Sequence, residues 1–268
     1  MPVSPLFRCT ILSMLFAFAS QSLMAGSSGL EWQRINISYN GLVVRHSVIA
    51  TYGSSGAYTL STNDGATWQR KQLSTEDDRI LAMSASSKGW AAITGNGFLF
   101  RTENVAGAWT KTAHGVQNAI SVAMLNSGGC IVVSKNAVYR IGSAGMATDS
   151  LRFRADSINT IAYHPDRPLL YAADVSGTLE TIDMETLTRI RTTDFTALGF
   201  CSPCTTLNYV FATADTLFAQ TDSQLFRSVN GGETWNIQNS SILQNVGRGI
   251  INSNGDVRFV RTTFINPN

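Results

Sequence analysis

One eight-residue segment, repeated at a regular interval, limits what this chain can fold into. Ser61–Trp68 reads STNDGATW, Thr102–Trp109 reads TENVAGAW and Ser228–Trp235 reads SVNGGETW. All three fit Ser/Thr-x-Asn-x-x-x-x-Trp without a gap, through Ser61, Asn63 and Trp68, Thr102, Asn104 and Trp109, and Ser228, Asn230 and Trp235. The first and third add a glycine (Gly65, Gly232) and a threonine (Thr67, Thr234) at matching places. Trp68 and Trp109 are 41 residues apart, and Trp109 and Trp235 are 126 apart, three steps of 42. Two unmarked repeats are therefore expected between them, with equivalent positions near Leu151 and residue 193.

The residues around each segment behave as strands. Ala57–Leu60, Phe98–Arg101 and Gln224–Arg227 precede the three marked copies, and a polar/apolar alternation such as Trp68–Leu73 follows. In the unmarked intervals Ala137–Arg140 and Gly177–Ile182 take the place of the preceding strand. Leu151–Phe153 and Leu187–Arg191 take that of the following one. A period of about 40–45 residues carrying four short strands is the pattern of β-propeller blades. The expected fold is therefore an all-β propeller.

Closure sets the expected blade count. Trp32-Gln33-Arg34 repeats Trp68-Gln69-Arg70, so it reads as an outermost strand lacking its own blade. The C-terminal region has the opposite deficit. Gly249–Ile251 and Asp256–Val260 read as inner strands, and only Phe264–Asn266 is left for a third. If the N-terminal strand completes the last blade, no sheet edge stays unpaired at the junction, and six blades result. A truncated seven-bladed parent is the alternative.

Composition suits such a fold. The chain of 268 residues is 44% hydrophobic and only 14% charged. An average soluble domain is roughly 25% charged, and strands covered on both faces need few charges. The N-terminus carries Arg8, the apolar run Cys9–Ala19 and then small and polar residues, the pattern of a secretory signal with cleavage after Ala25. Cleavage after Ala19 is the alternative. The expected domains are thus a signal peptide, 1–25, and a propeller, 26–268, in a secreted or periplasmic protein without an integral membrane span after cleavage. Removing residues 1–25 leaves 19 basic and 18 acidic residues, a net charge of +1. That balance provides no electrostatic footprint for nucleic acid.

Three cysteines remain beyond residue 25. Cys130 opens an apolar run and reads as a strand residue. Cys201-Ser202-Pro203-Cys204 is a lone C-x-x-C without the second pair or histidines that a zinc site needs. A local disulfide between Cys201 and Cys204 is one reading. Free thiols and a redox or metal role are the others.

The repeated segment resembles the Asp-box, or bacterial neuraminidase repeat. That repeat occurs in sialidases, sortilin-type receptors, xyloglucan-degrading glycosidases and the photosystem II stability and assembly factor family. Asn63, Asn104 and Asn230 stand where the eponymous aspartate usually stands. The resemblance spans residues 31–268 and implies blade architecture. It assigns Ser61, Asn63, Gly65, Thr67, Trp68, Thr102, Asn104, Trp109, Ser228, Asn230, Gly232, Thr234 and Trp235 a structural role. Ile161–Tyr171, with its His-Pro-Asp-Arg-Pro turn, resembles a first-to-second-strand hairpin of the YVTN/WD class, which makes His164 a turn residue.

Catalysis makes demands that the chain does not visibly meet. A sialidase-like site would begin with Arg-Ile-Pro, and here Arg45 lies in Val44-Arg45-His46 without the proline. A glycosidase needs two carboxylates facing one cleft. Asp174 and Asp215 end apolar runs read as second strands and form the pair to test. Glu76-Asp77-Asp78-Arg79 reads as a solvated acidic loop, with calcium as its functional alternative. No phosphate loop, His-x-x-x-His or Gly-x-Ser-x-Gly elbow occurs, so no catalytic residue, metal or cofactor is implied. The expected function is a noncatalytic module that binds a protein or glycan partner. A carbohydrate-active hydrolase with an unrecognised site is the alternative.

Overall fold

The computed structural model describes residues 39–154, 157–164, 166–198, 206–221, 224–238, 246–251 and 257–261. The chain divides into two compact units, Ile37–Asn245 and the pair Met1–Asn36 with Val246–Asn268. In the larger unit every described element is a strand.

Twenty strands form five four-stranded antiparallel sheets in simple meander order. The first sheet holds β1 (Tyr39–Arg45), β2 (Val48–Gly53), β3 (Ala57–Ser61) and β4 (Gln69–Gln72). The second holds β5 (Ile80–Ser86), β6 (Gly89–Thr94), β7 (Phe98–Thr102) and β8 (Thr110–Ala113). The third holds β9 (Ala119–Met124), β10 (Cys130–Ser134), β11 (Ala137–Ile141) and β12 (Ala147–Arg152). The fourth holds β13 (Ile158–Tyr163), β14 (Leu169–Asp174), β15 (Thr178–Asp183) and β16 (Thr188–Asp194). The fifth holds β17 (Tyr209–Ala212), β18 (Leu217–Gln220), β19 (Leu225–Ser228) and β20 (Asn236–Gln238). In the smaller unit β21 (Val246–Ile251) and β22 (Val257–Arg261) pair antiparallel.

These sheets are the blades of a β-propeller. Their fourth strands begin one residue beyond Trp68, Trp109 and Trp235, at the expected places. β12 and β16 occupy the unmarked intervals near Leu151 and residue 193 that the period predicts. Trp32–Arg34, proposed above as the closing strand, and Phe264–Asn266 lie outside the described residues, so five complete blades and one strand pair are described.

Burial falls from the second strand to the fourth. β6 and β10 are buried at every position, whereas β8 and β12 are mostly exposed. The sequence accounts for this gradient: GWAAIT and CIVVS are apolar runs, as strands covered on both faces require. TKTA and ATDSLR are polar.

The core is divided into slabs, one between each pair of successive sheets. Ala50, Tyr58 and Leu60 of the first sheet meet Ile80, Trp90 and Phe100 of the second. Ala91, Ile93 and Leu99 then meet Val122, Cys130 and Val132 of the third. Ile131, Val133 and Val138 meet Leu170, Ala172 and Ile182 of the fourth. Tyr171, Ala173 and Leu179 meet Leu217, Ala219 and Phe226 of the fifth. Successive apolar residues of the middle strands thus alternate between two neighbouring slabs, as the twofold period of a strand dictates.

Candidate functional site: strand turns and inter-sheet ties

The meander sorts its turns onto two faces. First-to-second and third-to-fourth turns emerge on one face, while second-to-third turns and the linkers between sheets emerge on the other.

The three repeated segments are third-to-fourth turns, and two are nearly superimposable in their bonding. In the first sheet Ser61 Oγ accepts the Gly65 amide at 2.8 Å and donates to Asn63 Oδ1 at 3.0 Å. Asn63 Oδ1 also accepts the Thr67 amide at 2.8 Å, and Asn63 Nδ2 donates to Thr67 Oγ1 at 2.9 Å. The Trp68 indole N–H closes the turn on Gly65 O at 3.0 Å. In the fifth sheet Ser228, Asn230, Gly232, Thr234 and Trp235 make the same bonds in the same order. Gly65 and Gly232 hold φ of +86° and +89°, conformations that favour glycine. The carboxamide therefore does the work of a carboxylate acceptor and adds one donor.

The second sheet departs from this pattern. Thr102 Oγ1 donates to Asn104 O, and Asn104 Oδ1 accepts Ala106 N at 3.0 Å. Val105 stands where the others carry Asp64 and Gly231, so the loop does not follow the same path. The Trp109 indole instead crosses to the first sheet and donates to Tyr58 Oη at 3.1 Å.

Each third-to-fourth turn from the second sheet onward is also held by the sheet before it. Tyr58 Oη donates to Val105 O at 2.5 Å. Arg101 Nη2 donates to Ser143 O at 2.7 Å, and Arg140 Nη2 donates to Glu185 O. Arg191 donates to Gly231 O at 2.8 Å and to Glu233 Oε1 at 2.9 Å. One side chain thus ties each pair of neighbouring sheets among the five four-stranded ones at the same level. The individual residues carried no motif, and Arg101, Arg140 and Arg191 are not evenly spaced. Arg101 and Arg140 are each the last residue but one of the strand before the turn, the one regularity that points to them.

Three carboxylates are buried among the described residues, and each is committed to the fold. Asp174 Oδ1 accepts the amides of Ser176 and Thr178 at 2.9 and 2.8 Å, and Oδ2 accepts Ser176 Oγ. Glu180, 1% exposed, pairs with Arg189 and accepts the Arg154 amide. Asp78, also 1% exposed, accepts Ser74 Oγ at 2.6 Å and the Asn96 amide at 2.9 Å. The acidic loop expected to be solvated is therefore anchored at its third residue, because the Asn96 amide in the β6–β7 turn needs an acceptor.

The pair Asp174 and Asp215 is not brought together. Asp174 caps a second-to-third turn, whereas Asp215 is exposed in the β17–β18 turn on the opposite face. The five innermost strands read YNGLVVR, ILAMSAS, AISVAM, INTIAY and YVFA, without an aspartate or glutamate.

A hydroxyl pair links two of these strands. Tyr163 Oη donates to Ser121 Oγ at 2.9 Å, bridging β13 and β9. Burial pushes the Tyr163 phenol well above its ordinary range, and nearby Tyr52 adds to the shift. Tyr52 Oη passes over Gly41, where a Cβ would lie 2.2 Å from it.

Histidines and cysteines complete the inventory. His164 lies in the β13–β14 turn, His114 is 1% exposed, and His46 has a φ of +52°. Cys130 is a free thiol pushed up to about 11 by burial. Cys201 and Cys204 lie outside the described residues. No group of three metal-ligating side chains occurs among the described residues.

Neither a family model nor a curated protein matches the sequence. Solved structures do. The chain is similar to YCF48 bound to D1 peptide, with a TM-score of 0.65 and 13% identity over 83% of this chain and 75% of that one. It is also similar to YCF48 from Cyanidioschyzon merolae, with a TM-score of 0.61 and 16% identity over 81% of this chain and 77% of that one. The likeness is one of fold. At these identities the propeller is shared and individual side chains are not thereby equated.

Proposed function

We propose that this chain is an exported, noncatalytic propeller that binds a protein partner through a peptide segment. The observation that carries this reading is the commitment of all three described buried carboxylates, Asp78, Asp174 and Glu180, to turn amides and an arginine. A glycosidase would need two carboxylates free to face one cleft. The similarity in fold to YCF48 bound to D1 peptide supports a peptide as the ligand class.

In this reading Ser61–Trp68, Thr102–Trp109 and Ser228–Trp235 are degenerate Asp-boxes that fold the blades and do not touch ligand. Residues 1–25 are the export signal, so the protein acts in the periplasm or outside the cell.

The test has two arms. Fractionation with N-terminal sequencing should place the protein beyond the inner membrane, with residue 26 first. Photocrosslinking in that fraction, followed by peptide-array binding, should return a protein partner and a linear segment of it. Retention of residue 1 in the cytoplasm would reject the export reading. Capture of glycan alone, or turnover of a glycoside panel, would reject the peptide-binding reading.

A further inference from the structure

We propose that His164 is an acid-released latch on the face formed by the first-to-second turns of the fourth and fifth sheets. The imidazole is 9% exposed and sits at the base of the β13–β14 turn. Its Nδ1 accepts two backbone amides, Asp166 N and Arg167 N, each at 3.1 Å. A nitrogen that accepts carries no proton, so the ring is the neutral tautomer with its proton on Nε2. That Nε2–H donates to Ala214 O at 3.2 Å, in the β17–β18 turn of the next sheet. One neutral ring thus shapes its own turn and ties it to its neighbour.

Protonation acts on one side of the ring only. Nε2 keeps its proton and its bond to Ala214. Nδ1 turns from acceptor to donor, and two amide donors then face a third. The turn Asp166–Pro168 must open, while the inter-sheet bond survives as a pivot. The charged groups acting on the ring come from the two turns. Arg167 disfavours the added charge, and Asp166 with the neighbouring Asp215 favours it. Burial is the largest influence and also disfavours the charge, so the ring titrates below the ordinary histidine range.

Chemistry elsewhere in the chain does not duplicate this device. His114 is buried, and its Nδ1 accepts only Val116 N within its own linker. His46 is exposed.

The experiment is a pH titration of the full chain by nuclear magnetic resonance with hydrogen exchange. The His164 ring should titrate below pH ~6.5, the ordinary value. The Asp166 and Arg167 amides should shift with the same midpoint. Their protection, corrected for intrinsic exchange, should fall about tenfold across it, the factor for one lost hydrogen bond. In His164→Asn, which keeps an acceptor and cannot titrate in this range, that fall should vanish. In Asp166→Asn/Asp215→Asn it should persist. Amides that do not follow the ring, a midpoint at or above the ordinary value, or an unchanged fall in His164→Asn would each overturn the latch. Loss of the fall in the double carboxylate variant would overturn it too, because Asp166 and Asp215 would then be the titrating groups.

Discussion

The Trp235 ring stands edge-on to Phe195, with centroids 4.8 Å apart and planes inclined at 64°. Phe195 in turn packs on Phe226 at 4.8 Å, so the linker entering the fifth sheet is pinned between its third strand and its closing tryptophan. Such tilted aromatic contacts contribute beyond their buried area. Trp235 is buried, whereas Trp68, its counterpart in the first sheet, is only partly covered. Trp235→Ala should therefore cost about 3–5 kcal/mol. Trp68→Ala should cost roughly half as much, in proportion to the area it removes from water. Urea denaturation of both variants measures the difference, and equal losses would contradict the packing account.

The turn chemistry separates two substitutions at one site. Asn230→Asp keeps the acceptor for Thr234 N and Ser228 Oγ and gives up only the Nδ2 donor to Thr234 Oγ1. It should change stability by less than about 1 kcal/mol, since that bond is exposed. Ser228→Ala strips the Gly232 amide of its acceptor in a buried setting and should cost about 1–3 kcal/mol. Thermal unfolding of the two variants side by side tests the contrast.

Glu180 and Arg189 form the most buried ion pair described, with side chains 1% and 20% exposed. Glu180→Ala would leave the guanidinium and the Arg154 amide without their acceptor. The expected loss is about 3 kcal/mol, the lower range for breaking a buried pair, because Arg189 keeps some solvent. Arg189 also donates to Arg152 O at 2.6 Å, so the double variant Glu180→Leu/Arg189→Met should recover part of the loss. Chemical denaturation of single and double variants decides the point.

Acid should weaken the fold through its histidines. Burial holds both His114 and His164 below the ordinary value. The unfolded chain then binds more protons than the native one, so stability rises with pH in that window. The contribution is complete above pH ~6.5, the unfolded value, and is lost as pH falls through the lower native values. His114→Gln should flatten the slope of stability against pH below that point. A slope unchanged in the variant would remove His114 from the account.

Gly41 tests the crossing of Tyr52. A methyl group there would meet Tyr52 Oη and Cζ at 2.2 and 2.4 Å. Gly41→Ala should destabilise by about 1–3 kcal/mol, as overpacking does. Against a Tyr52→Ala background the same substitution should cost little more, because the ring atoms that the methyl group would meet are gone. Comparing the shift in denaturation midpoint between the two backgrounds checks the geometry.

These residues also show what a sequence can reveal here. The interval between tryptophans placed β12 and β16 without any motif in them, because blades of one size repeat at one spacing. Asp78 looked like one acid among three in a solvated run, since burial depends on the Asn96 amide, 18 residues away. Asp174 and Asp215 looked alike because both end apolar runs read as second strands. Strand parity, which puts alternate turns on opposite faces, separates them. Tyr58 and Arg191 hold equivalent turns from different strands, so no spacing rule could find both.

The side-chain ties at the turns have a mechanical consequence. In every case the donor belongs to the earlier sheet and the carbonyl to the later one, and each clasp reaches only the adjacent sheet. Load applied at one seam is therefore handed on stepwise. Loosening Arg140 should fray the seam between the third and fourth sheets and leave the seam beside Tyr58 shut, as in a linear array with nearest-neighbour coupling. A row of sheets fastened this way can breathe at one joint without coming apart at the rest.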